Sequence, residues 1–181
     1  MTRFHPTLAA CAVALAFGTL DAHAAGDKAG YEQSRASAKT AFETDRKGCD
    51  ALAGNAKDIC VAEAKARRTK AEATAEADWK GTPKARESAL KASAEADYEV
   101  AKERCDDKGG NEKDICRQEA KAAMTKVMAD AKAMKKGTEA RMDAADDKRD
   151  ADYKVATQKC ESLSGDAKRA CVDGAKARYG K

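Results

Sequence analysis

Large apolar residues are scarce in this chain: leucine, isoleucine, valine and phenylalanine together number 17 of 181 residues. Aromatics make up 4%, and there are two prolines, two histidines and one tryptophan. Too few β-branched and aromatic residues are present for the strands of a β-sandwich or a doubly wound α/β domain, so large-core folds are excluded. Low hydrophobicity alone would point to disorder, but disordered chains also carry high net charge, and here 35 basic residues stand against 31 acidic ones. What is abundant is alanine, 43 residues in all, mixed with charges that make up 36% of the chain. That mixture specifies alanine-rich helices.

The first two dozen residues differ from the rest. Arg3 precedes an apolar stretch from Leu8 to Leu20, and Ala22-His23-Ala24 forms a small-x-small cleavage site. The stretch is shorter than the roughly 20 residues a membrane helix needs, so residues 1–24 read as a secretory signal peptide cleaved after Ala24. Leu8-Ala9-Ala10-Cys11 has the form of a lipoprotein box but opens the apolar region instead of following it. No later segment is apolar enough to span a membrane, and the expected location is the periplasm. Cleavage removes Cys11, His5 and His23, leaving six cysteines and no imidazole. An even count suits an oxidising compartment. Ser-His-Asp catalysis, Cys-His catalysis and histidine-containing zinc sites are excluded.

The remaining chain is an internal repeat. CDALAGNAKDIC at 49–60, CDDKGGNEKDIC at 105–116 and CESLSGDAKRAC at 160–171 share a C-x10-C frame. Seven residues before each first cysteine stands Phe42, Tyr98 or Tyr153, and three residues after each second comes EAKA, EAKA or GAKA. Lys80-Gly81-Thr82-Pro83 and Lys136-Gly137-Thr138-Glu139 punctuate the boundaries. The resulting units are 25–81, 82–137 and 138–181.

Each unit reads as two helices joined by a tight turn. Gly54, Gly110 and Gly165 suit a left-handed position ending one helix, with Asn55, Asn111 and Asp166 as N-caps of the next. Asp58 and Asp114, three residues on, favour a helix N-terminus, while Arg169 in the third unit weakens it. Gly81 and Gly137 are expected to stop helices, Thr82 and Thr138 to cap the following ones, and Pro83 to occupy the tolerated first position. In an antiparallel hairpin the two cysteines of each frame reach the same height, about 7–8 Å from the turn. Six cysteines allow fifteen connectivities, but one local rule used three times gives Cys49–Cys60, Cys105–Cys116 and Cys160–Cys171. A closed loop of about twelve residues contributes roughly 3 kcal/mol in the chain-entropy model.

Helical periodicity supplies the seams. Leu90, Ala94, Tyr98, Ala101 and Cys105 recur at spacings of three and four, as do Cys116, Ala120, Ala123, Val127, Ala131 and Met134. Alanine at most positions predicts thin coiled-coil-like hairpins, with Phe42, Trp79, Tyr98 and Tyr153 as the largest packing elements. The third unit has only about 13 residues in its second helix, so most of the helix from Thr138 is expected to lack a partner within the unit.

No catalytic constellation emerges. Asp106-Asp107 and Asp146-Asp147 lie on charged helical faces where nothing apolar raises a carboxylate pKa, and no phosphate loop, dinucleotide glycine pattern, calcium loop or nucleophile elbow is present. The cysteines admit a second reading, a thiol or metal-handling protein, opposed by the ten-residue separation and by two sulfurs per hairpin where closed zinc sites use four ligands. The net charge of +4 and the local run Lys65-Ala66-Arg67-Arg68-Thr69-Lys70 admit a third, a binder of anionic envelope polymer. Acidic residues interleave with these basic ones and aromatics do not, so nucleic acid is not expected.

The CDALAGNAKDIC…EAKA pattern, with its preceding Phe or Tyr and the terminal Ala175-Lys176-Ala177-Arg178-Tyr179-Gly180-Lys181, resembles small uncharacterised secreted proteins of Gram-negative bacteria, often labelled TolA-like or cell-envelope. The similarity is to the Ala/Lys/Glu-rich helical middle region of TolA; it covers most of the mature chain and includes no specific motif. The chain departs from TolA in having a cleavable-looking signal instead of an anchor, and in lacking a match to its C-terminal globular domain. The resemblance implies a periplasmic location. The combined expectation is an all-α protein of three tandem hairpins, each closed by a C-x10-C disulfide. No enzyme activity, cofactor or metal is expected; the role is structural or protein-binding, with another envelope protein or a second copy as partner.

Overall fold

The computed structural model describes residues 27–181, and the expected signal peptide, Ala24 cleavage site and Cys11 lie outside them. The described chain is all-α: α1 (Lys28–Gly48), α2 (Gly54–Lys80), α3 (Pro83–Cys105), α4 (Gly110–Cys160) and α5 (Gly165–Tyr179), with a short 3-10 turn at Cys49–Ala51 after α1. Three disulfides, Cys49–Cys60, Cys105–Cys116 and Cys160–Cys171, close three helical hairpins, each with a Cα–Cα distance of 5.7 Å.

Each helix packs only on its neighbours in the chain: α1 on α2, α2 on α3, α3 on α4 and α4 on α5. The helices therefore form a single layer, and burial is limited to what one helix can cover on another. Alanine permits close helix approach but contributes little area per contact. Ala38, Ala64, Ala66, Ala77, Ala85, Ala94, Ala131 and Ala175 are buried, Val100 is the one larger aliphatic among them, and Cys49, Cys105 and Cys160 are the largest fully buried side chains. The disulfide sulfurs thus occupy the place that leucine clusters fill in thicker bundles.

The first unit boundary reverses the chain. Gly81 adopts φ 61°, its N–H reaching the Ala77 carbonyl at 2.9 Å. Thr82 then caps α3, its hydroxyl accepting from the Ala85 N–H at 3.1 Å, and Pro83 takes the first helical position, where no N–H is needed. α2 and α3 pack along their length, tied by ion pairs of Lys70 with Asp97 and of Arg104 with Glu63 (2.6 Å), and by Asn55, whose amide donates to the Glu103 carbonyl at 3.0 Å.

The second boundary does not reverse. The expected stop at Gly137 and cap at Thr138 are not made: α4 runs unbroken through both for 51 residues, about 76 Å. Gly137 has no positive φ, and the Thr138 hydroxyl donates back to the Met134 carbonyl at 2.9 Å. Glu139 stands where the first boundary has Pro83, so nothing removes the N–H that carries the helix forward. The division between units 82–137 and 138–181 is consequently an internal point of one helix. Residues 140–149 of α4 are all exposed, between the stretch covered by α3 and that covered by α5.

Candidate functional site

The three disulfide turns are the most repeated local structure. Gly54, Gly110 and Gly165 take φ of 56°, 51° and 58°, a region that a side chain would disfavour. Their place differs from the expected helix C-terminus: α1, α3 and α4 end earlier, with Cys49, Asp106 and Glu161 following in right-handed geometry, and each glycine opens the next helix. Asn55, Asn111 and Asp166 accordingly lie one residue inside α2, α4 and α5, none of which has a side-chain N-cap. Asp58 and Asp114 fall beyond the first turn. Arg169 pairs with Asp166 within α5. The shift arises because each turn spends several residues on tight backbone bonds, Leu52 N–H to Cys49 carbonyl, Lys108 to Cys105 and Leu163 to Cys160, all 3.0 Å, before the glycine redirects the chain.

An ion pair crosses every turn. Asp50 meets Lys57 at 2.9 Å, Asp106 meets Lys113 at 3.2 Å, and Glu161 meets Lys168 at 2.8 Å. Sequence reasoning missed these, although the signal recurs three times as an acidic residue directly after the first cysteine and a lysine three before the second. Hydrogen bonding and charge from Lys57 hold the Asp50 carboxyl below its ordinary range; hydrogen bonds from Lys113 and Arg117 do the same for Asp106. Arg117 reaches Asp106 at 2.6 Å. Glu87 and Asp150 are likewise lowered, chiefly by hydrogen bonds from Lys91 and from Lys181. These shifts favour fixed carboxylates, the opposite of what a general acid needs at neutral pH.

The aromatics align with the hairpin register. Trp79 stacks on Tyr31 with ring centroids 4.7 Å apart at the open end of the first hairpin, and Tyr153 meets Tyr179 edge-on at 6.3 Å in the third. Arg68 lies over the Phe42 ring at 5.5 Å, and Lys102 over that of Tyr98 at 5.5 Å. All four expected seam aromatics are half-buried. In the second hairpin the positions matching Tyr31 and Trp79 are Glu87 and Lys135, which form an ion pair at 3.8 Å. On α4 the seam is displaced from the expected one: Val127 and Met134 are exposed, while Met124, Met128 and Lys135 are half-buried around buried Ala131. Reading only apolar identity passed over Lys135, whose alkyl stem covers the seam while its ammonium pairs with Glu87.

All six cysteines of the described residues are in disulfides. Among those residues no group of three or more His, Cys, Asp or Glu side chains is placed to hold a metal ion. The surface depressions are open grooves between helices; the one on the third hairpin, about 510 Å³, is lined by Val155, Cys160, Ala170, Cys171, Ala175 and Tyr179 among others. No helix among the described residues is long and apolar enough to cross a membrane. Three of the four basic residues of the 65–70 run are paired with acidic neighbours: Arg67 with Asp45 at 2.9 Å, Arg68 with Glu72 at 2.8 Å, and Lys70 with Asp97. No family model, curated protein or solved structure matches the chain.

Proposed function

We propose that this is a non-enzymatic helical-repeat protein of the periplasm, exported on a signal peptide cleaved after Ala24, with a structural or protein-interaction role in the cell envelope. The observation that carries the reading is the single layer of disulfide-closed hairpins, which places nearly every side chain of the described helices on a surface. Such an array holds extended faces in fixed register, as binding surfaces built from repeated units do. Three disulfides fit an extracytoplasmic compartment. The thiol or metal-handling alternative needs reduced sulfur, and the pairing of the six cysteines opposes it. Pairing of Arg67, Arg68 and Lys70 with acidic partners opposes electrostatic capture of an anionic polymer.

The test is intact mass of protein recovered from the periplasm, with alkylation before and after reduction, joined to cross-linking in intact cells. The expected result is a chain beginning at Ala25 that takes no label until reduced and then six, trapped by the cross-linker in discrete adducts with envelope protein. Cysteines reactive without reduction would transfer the argument to thiol chemistry. A chain that stays uncross-linked at every reagent concentration would remove the interaction role.

A further inference from the structure

The two unit boundaries carry nearly the same sequence and opposite geometries, and this leaves a matched pair of uncovered faces. α2 corresponds to residues 110–136 of α4 by the 56-residue repeat, and the second half of α3 corresponds to residues 151–160 of α4 by the 55-residue repeat. At the first boundary the two elements fold onto each other; at the second they are collinear within one helix and cannot meet. The face that buries Ala66 and Ala77 in α2, at 6% and 5% exposure, recurs as Ala122 and Ala133 of α4, both exposed. Val100 of α3, 8% exposed, recurs as Val155, 55% exposed.

The polar contacts across α2 and α3 recur as well. Lys70 and Asp97 correspond to Lys126 and Asp152, and Glu63 and Arg104 to Glu119 and Lys159, both with charge signs kept. Asn55, which donates to the Glu103 carbonyl, corresponds to Asn111, with Gln158 at the position of Glu103. Two halves of one straight helix that carry the complementary sides of one antiparallel interface can satisfy both sides at once only against another α4. Straightening a hinge so that equivalent surfaces pair between copies is the geometry of a domain-swapped dimer.

We infer that α4 of one copy pairs antiparallel with α4 of a second copy about a two-fold axis near Glu139, residues 110–136 of each packing on 138–160 of the other in the register of α2 on α3. The interface forms twice, setting Lys126 against the partner subunit's Asp152 and Glu119 against the partner subunit's Lys159. All four of these positions are exposed, Asp152 and Lys159 at the border of the groove that α4 forms with α5, so the pairing uncovers neither hairpin seam. The inference names a partner within the interaction role proposed above and concerns a different measurement from the export and cross-linking test.

Sedimentation equilibrium of the oxidised chain tests it. The expected result is a dimer whose dissociation constant rises roughly tenfold or more for Lys126→Glu or Asp152→Lys and is restored in the double variant, since each reversal turns two attractive contacts repulsive. Glu139→Pro, which gives the second boundary the chemistry of Pro83, is expected to yield a compact monomer with α4 folded back on itself. A wild-type chain that is monomeric at all concentrations, extended or folded back, overturns the pairing. So does a dimer indifferent to both charge reversals. If Glu139→Pro loses helicity by circular dichroism, the reversal pair, confined to exposed positions, decides the matter.

Discussion

Replacing Gly81 and Gly137 separately by alanine is expected to change stability in opposite directions, although the two glycines sit 56 residues apart in matching sequence. Gly81 holds φ 61°, where an L side chain costs about 1–2 kcal/mol. Reduced freedom of the unfolded chain returns about 0.4–1 kcal/mol, leaving a net loss of roughly 1 kcal/mol. Gly137 is inside α4 in ordinary helical geometry, and a Cβ there meets nothing within 4 Å. Alanine at that site therefore gains the helix-propensity difference of about 0.8–1 kcal/mol. Urea unfolding followed by circular dichroism measures the global change. Because a layer of hairpins can unfold in parts, amide exchange over residues 133–141 reports the local one, where the gain corresponds to a roughly fourfold to fivefold slowing for Gly137→Ala. Destabilisation by Gly137→Ala similar to that by Gly81→Ala would refute the continuous helix and place a left-handed stop at Gly137.

Removing the second disulfide as Cys105→Ala with Cys116→Ala is expected to cost about 3 kcal/mol, from a cysteine separation of 11 in sequence; a loss below about 1 kcal/mol in urea titration would mean the turn holds itself. Thr82→Ala removes the cap on the Ala85 N–H and is expected to lower stability by about 1 kcal/mol, whereas Thr138→Ala, which caps nothing, should raise it slightly; equal effects in thermal melts would contradict the two geometries. Asp106 is held below the ordinary aspartate range by Lys113 and Arg117, so it contributes stability above the unfolded-state value that is lost as pH falls through the lower folded one. Asp106→Asn is expected to flatten the decline of stability below about pH 4, and an unchanged acid limb in pH-dependent melts would show the turn ion pair to be inert.

Much of this architecture was legible because its determinants are local. Alanine content and charge balance specify helices, C-x10-C repeated three times specifies which sulfurs meet, and Gly54, Gly110 and Gly165 mark the left-handed points whatever the neighbouring helices do. Gly81-Thr82-Pro83 is legible for the same reason, since proline removes a backbone donor irrespective of packing. Where competing local terms differ by about 1 kcal/mol, sequence reading failed. Gly137-Thr138 without a proline can stop a helix or continue it, and the Asn55 side chain can cap α2 or cross to Glu103. The seam on α4 depended on which helix lay beside it, because with so few large apolar residues a lysine stem at 135 serves as well as a methionine at 134. The sequence by itself determined the helices, the disulfides and the first reversal through covalent and single-residue constraints. Only the tertiary structure decided the straight α4, the single layer and the faces it leaves uncovered, because these follow from small free-energy differences summed along pairs of helices.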